Sequence, residues 1–170
     1  MLKRVIASFT FFRVAATLSA LALVLIAYGW ITGEDPADKP YLVVTGGGFI
    51  FNYRVSEAFY GFSIKVQKPL EVGSIIEARF EDPAGGKPFI EQVRVNARTT
   101  NYSLRSPGVR GVKADVPYEV VISLYDYSGR TLIEKQVRHF KSSIDSTIVP
   151  DEPLTIGPGY HRNPDNSLPN

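Results

Sequence analysis

The residues that could do chemistry are few and widely spaced. The chain has no cysteine, one methionine at position 1 and two histidines, His139 and His161. Thiolate nucleophiles, disulfide scaffolds and cysteine-ligated zinc are therefore excluded, and two histidines cannot build a three-histidine zinc centre. A serine triad needs a histidine oriented by a carboxylate. His139 falls in a strand pattern and His161 in a proline-rich stretch, where catalytic geometry is hard to hold. Neither Gly-x-Ser-x-Gly nor His-Glu-x-x-His occurs. Gly46-Gly47-Gly48 lacks the lysine and hydroxyl of a phosphate loop and no helix pattern follows it. It predicts a bulge, or a kink where a strand changes sheets. Glu81-Asp82 and Asp151-Glu152 are adjacent carboxylates, and neighbours along a strand point to opposite faces, so Glu81 and Asp82 are not a natural acid–base pair. Asp82, Asp115, Asp126 and Asp145 would bind calcium only if their loops converged. The expectation is a chain with no catalytic residue, no cofactor and no metal.

Binding is the chemistry left. Between Gln92 and Ala114 lie Arg94, Arg98, Arg105, Arg110 and Lys113, with no acid among them. Guanidinium groups suit carboxylates and phosphates, so a shared face would be a patch for an acidic partner or lipid headgroups. The same residues could equally be solvated, balanced across the sheet by Glu77, Glu91 and Glu119. Asn101-Tyr102-Ser103 is a glycosylation sequon, meaningful only in a pathway that glycosylates. Near the carboxyl end, Leu154, Ile156 and Tyr160 could anchor a docking peptide. A net charge of +2 and the absence of any recognition motif argue against a nucleic-acid partner.

Two kinds of element must position these residues. No charge occurs from Val14 to Gly33. A helix of roughly 20 residues rises about 30 Å, the thickness of the hydrocarbon layer. Tyr28 and Trp30 lie at one end, as interfacial rings do. Residues 1–13 read as a cytoplasmic leader carrying Lys3, Arg4 and Arg13, and 14–33 as the anchor. The acidic linker 34–40 follows, so the positive-inside bias puts the amino terminus in the cytoplasm. The expected location is the inner, cytoplasmic membrane, crossed once through residues 14–33, with the rest periplasmic or extracellular. A cleaved signal peptide ending near Ala27-Tyr28-Gly29 is the alternative.

Residues 41–148 show period-two alternation. Phe49, Phe51, Tyr53 and Val55 form one set; Tyr60, Phe62, Ile64 and Val66 another; Ile76, Ala78 and Phe80, Phe89, Val93 and Val95, and Tyr118, Val120, Ile122 and Leu124 follow. Turns at 82–86, 106–108 and 127–129 separate them. The pattern predicts an all-β fold of seven to eight strands, an antiparallel β-sandwich behind a single transmembrane helix. Between Thr131 and Lys141 two faces compete, which predicts a bulge. Residues 149–170 read as a proline-rich extended tail.

Asn101 to Arg105, Gly111 to Lys113, Pro117 to Ile122, Asp126 and Gly129 together resemble the E–F half of a fibronectin type III or immunoglobulin-like domain. The resemblance implies architecture, not activity. It also implies that Tyr118 opens strand F and bonds back to upstream backbone, as a tyrosine corner does. In layout alone the chain is similar to the copper-delivery factors of oxidase assembly, but without cysteines it cannot carry copper as they do. The function expected is that of a membrane-anchored binding or assembly module for an envelope protein partner. A carrier of lipid or another apolar ligand is the alternative, and a hydrolase a more remote one.

Overall fold

The computed structural model describes residues 2–33 and 38–165, with helix side chains described from Phe11 onward. Part of the 34–40 linker, the side chains of Lys3 and Arg4, and the last residues of the 149–170 tail lie outside the described residues. The chain divides into two compact units, Met1–Lys39 and Pro40–Asn170.

The first unit is one α-helix, α1 (Leu2–Thr32). It begins well before Val14, because nothing between Leu2 and Arg13 breaks a helix, so the expected leader and anchor are one element. Phe11–Thr32 is long and apolar enough to cross a membrane, and none of it is buried in the protein. The Thr17 and Thr32 hydroxyls are satisfied locally. Thr17 donates to the carbonyls of Arg13 and Val14, and Thr32 to that of Tyr28. A polar group with no water to meet must find such a partner inside its own helix.

The second unit is mostly β. Its strands are β1 (Leu42–Asn52), β2 (Glu57–Val66), β3 (Ile75–Phe80), β4 (Phe89–Arg94), β5 (Asn101–Arg105), β6 (Pro117–Tyr125) and β7 (Leu132–Lys141), then the short β8 (Thr155–Ile156) and β9 (His161–Arg162). The order is β1-β2-β5 in one sheet and β4-β3-β6-β7 in another, with β8 and β9 as a separate pair. All these pairings are antiparallel. The alternation read for β2, β3 and β6 is the buried set: Tyr60, Phe62 and Ile64; Ile76, Ala78 and Phe80; Tyr118, Val120, Ile122 and Leu124.

Aromatic rings link the two sheets. Tyr60 meets Phe80 edge-on at 5.2 Å, Phe62 lies 5.8 Å from Phe80, and Phe49 meets Tyr118 at 5.6 Å. Phe49 also stacks on Tyr60 at 4.6 Å. Each buried ring contributes about 1.5–3 kcal/mol of transfer free energy, with edge-on and offset contacts adding to it. The Tyr60 hydroxyl donates to the Glu81 carbonyl at 2.5 Å. Burial first, and then the neighbouring Glu81, Asp82 and Tyr118, hold that phenol well above the ordinary tyrosine range. It therefore stays a neutral donor.

Three local features differ from the pattern reading. Tyr53 and Val55 alternate like strand residues but lie in the β1–β2 turn, where Ser56 adopts φ 55°. Gly46–Gly48 stay inside β1, which remains in one sheet; the irregularity falls between Val44 and Gly46, leaving Thr45 as the extra residue. Of the 149–170 segment, the described part (149–165) folds back rather than running extended: β8 pairs with β9, Val149 and Asn163 are buried, and Thr155 donates its N–H to the Arg54 carbonyl. The bulge expected in β7 is present, since Leu124 pairs with Glu134 and Tyr125 with Leu132, which leaves Ile133 unpaired.

Candidate functional site

A histidine meets carboxylates on the outer face of the four-stranded sheet. His139 on β7 stands directly opposite Glu119 on β6. Both line a shallow groove of about 620 Å³ on the outer face of the four-stranded sheet, with Glu81, Arg79 and Lys135. Glu81 is committed, because its Oε2 accepts the Glu119 N–H at 2.7 Å. No serine or threonine lines this groove. It holds a histidine beside carboxylates without a hydroxyl nucleophile. His161 is exposed on β9, remote in sequence pairing from His139.

The four aspartates serve separate turns. Asp82 accepts from the Ala84 N–H, and Asp145 from the Ala114 N–H. Asp115 sits at φ 60°. Asp126 closes the β6–β7 turn, accepting from the Ser128 hydroxyl and from the N–H groups of Arg130 and Thr131. Desolvation pushes this carboxyl up, but the hydrogen bonds from Ser128, Thr131 and Arg130 outweigh it and hold the group down at about 2. Among the described residues no three metal-ligating side chains converge.

Two of the five basic side chains are held by hydrogen bonds, those of Arg94 and Arg110. Arg94 donates to the carbonyls of Gly73 and Tyr127. Arg98 lies in the β4–β5 loop, where its N–H is held by the Asn96 side chain. Arg110 donates to the Ser56 carbonyl at 2.7 Å and to its hydroxyl at 3.0 Å. The Ser56 hydroxyl in turn donates to the Pro150 carbonyl. Arg110 therefore braces a left-handed turn against the carboxyl-terminal segment. The Lys113 N–H donates to the Tyr118 hydroxyl at 2.8 Å. Arg105 alone is placed over a ring, 4.8 Å from the Phe59 centroid. Of the tail residues, Leu154 is half-buried, while Ile156 and Tyr160 are exposed on the β8–β9 hairpin.

A different surface emerges from strand register. Gly48 lies opposite Gly61, and Gly61 opposite Arg105. In the next row that points the same way, Gly46 lies opposite Ser63, and Ser63 opposite Ser103. The outer face of the three-stranded sheet thus has a floor almost without side chains. Its walls include Ile50, Phe59 and Arg105, and the groove measures about 560 Å³. Gly61 is required by its surroundings, since a Cβ there would stand 2.5 Å from the Leu104 carbonyl oxygen. Gly47, on the inner side, is required by the Phe140 ring. Gly46 and Gly48 have open space around an added Cβ and no left-handed φ. Glycine within a strand weakens it by about 0.5–1 kcal/mol relative to alanine. Gly46 directly follows the irregularity at Thr45, while neither a turn nor a core contact accounts for Gly48. A strand-like stretch containing three glycines was the only signal of this surface in the sequence.

No protein-family model matches the chain, and no curated protein matches it.

Proposed function

We propose that the protein is a membrane-anchored, exported, immunoglobulin-like β-sandwich that acts as a binding or assembly module for an envelope protein. The helix at Phe11–Thr32 supplies an anchor of the right length. Lys3, Arg4 and Arg13 on one side, and Asp35 and Asp38 on the other, favour a cytoplasmic amino terminus and an exported β unit. The sandwich reading draws on the strand distribution, β1-β2-β5 against β4-β3-β6-β7, and on the rings that join them. The bond from the Lys113 N–H to the Tyr118 hydroxyl has the form of a tyrosine corner.

The observation that carries the binding role is the bare groove over Gly46, Gly48 and Gly61. Its partner is a protein segment that lays an apolar side chain over Gly48 and Gly61, against Ile50 and Phe59, and brings a carboxylate to Arg105. A carrier would need room between the sheets, where Phe49, Tyr60, Phe62 and Phe80 pack on one another. A hydrolase working through a covalent acyl-enzyme would need a hydroxyl beside His139, and none lines its groove.

A photo-crosslinking residue at Phe59, in intact source membranes, tests this. The expected result is one discrete protein adduct, lost in Gly48→Leu, which fills the groove, and weakened in Arg105→Glu. Absence of an adduct, or an adduct indifferent to Gly48→Leu, overturns the reading.

A further inference from the structure

Strand β1 forms one edge of its sheet and pairs only with β2. Open edges invite pairing with other strands, and proteins guard them with short length, proline, charge or inward-pointing charged residues. The other three edges of the two main sheets carry such guards. β4 is 6 residues long, follows Lys87-Pro88, and has Glu91 in register with the inward-facing Ala78. β5 is 5 residues long and ends on Arg105 just before Ser106-Pro107. β7 has Glu134 and Arg138 in register with the core residues Leu124 and Val120, and Lys135, His139 and Lys141 on its other face.

β1 has none of these guards, and its one protective feature is the bulge at Thr45. It is 11 residues long and contains no charged residue and no proline; the irregularity at Thr45 is its one interruption. Only its first residues are covered. The Tyr41 N–H donates to Glu134, and the Gln136 side chain donates to the Leu42 carbonyl. Among the described residues, no hydrogen bond beyond the β2 ladder reaches the backbone from Val43 to Phe51.

We infer that the open edge of β1 is a self-association surface, which pairs antiparallel with β1 of a second copy to join two three-stranded sheets into one of six. The absence of charge selects this occupant. A strand neutral along its whole length finds in its own copy a partner that places no unpaired charge against it. In a register centred on the glycines, Gly46–Gly48 of the two copies face each other. Beyond them the extra residue Thr45 shifts the register by one, so Phe49 and Ile50 of one face Val44 and Val43 of the other, apolar against apolar. The contact is isologous, so it closes as a two-fold dimer and leaves no further β1 edge open. It uses the strand edge, whereas the groove of the proposed function lies on the outer face.

The natural absence of cysteine makes the test clean. Gly46→Cys and Gly48→Cys, which oppose each other in this register, are co-reconstituted as full-length protein in lipid nanodiscs, with Gln92→Cys on β4 as a control. Directly opposed residues of an antiparallel pair lie within disulfide reach, so oxidation of the mixture is expected to give at least ~10-fold more covalent dimer than the Gln92 variant. By sedimentation the protein without substitutions is expected to run as a dimer. Gly46→Lys, which sets like charges near each other in open space, is expected to run as a monomer with an unchanged melting temperature, while Gly46→Ser stays dimeric. Equal crosslinking on β1 and β4, or a monomeric mass without substitutions, overturns the inference. A heterologous strand at this edge would give that second result.

Discussion

Removing one oxygen atom, in Tyr118→Phe, probes the joint between β6 and the loop before it. The ring is buried at 4% exposure and meets Phe49 at 5.6 Å, contacts that phenylalanine keeps. The lost atom is the acceptor for the Lys113 N–H, a part-buried bond of 2.8 Å. A typical neutral hydrogen bond contributes about 0.5–1.5 kcal/mol, and leaving its buried partner unpaired costs about 1–3 kcal/mol. Part of the Lys113 backbone can reach water, so the expected loss is ~1–2 kcal/mol. At about 2.1 cal/mol/K per residue, a unit the size of Pro40–Asn170 melts roughly 4–7 °C lower for that loss. The assay is thermal unfolding of the full-length protein in detergent, followed through the β signal in far-ultraviolet dichroism. Tyr125→Phe is the control, since the Tyr125 hydroxyl makes no hydrogen bond among the described residues. A shift below about 1 °C, or one equal to that of Tyr125→Phe, would refute the corner as a stabilising element.

Two further perturbations follow from the same geometry. Ser74 is fully buried and its hydroxyl has no partner among the described residues; Ser74→Ala should stabilise by ~0.5–1.5 kcal/mol in denaturant unfolding, and a loss of that size would contradict the burial argument. Because the Asp126 carboxyl is held down at about 2, below its ordinary value of 3.8, its contribution is fully present above about pH 4 and fades as the pH falls towards 2. Asp126→Asn should therefore lower the melting temperature at pH 7 and shrink the difference from the original protein at pH 2; a difference constant across that window would contradict the assignment.

Much of the fold could be read from the chain because buried side chains on β2, β3 and β6 occur at every second position, with turn residues between. β1 was harder to read. Its middle consists of glycines, which leave no side chains to alternate, and the alternation of Phe49 and Phe51 runs on into Tyr53 and Val55, which the Ser56 turn removes from the strand. The folded carboxyl-terminal segment was hidden for another reason. What pins it is backbone, the Thr155 N–H on Arg54 and the Pro150 carbonyl on Ser56, and such bonds leave no mark in composition.

The groove was legible only in pieces. Gly46, Gly48, Gly61, Ser63, Ser103 and Arg105 come from three strands, and only register lines them up. Within the run of basic residues, conspicuous as a sequence, Arg94 donates to loop carbonyls and Arg110 to Ser56. The histidine–carboxylate neighbours His139 and Glu119 were likewise invisible, twenty positions apart in the chain but opposite in the sheet.

The account depends on the β unit being held at a membrane by its own helix. The intact mass of the protein recovered from washed membranes tests this directly. The retained anchor predicts a species that still carries Phe11–Thr32 in the membrane fraction, released only by detergent. A shorter species beginning after Gly29 and recovered in the soluble fraction would contradict it.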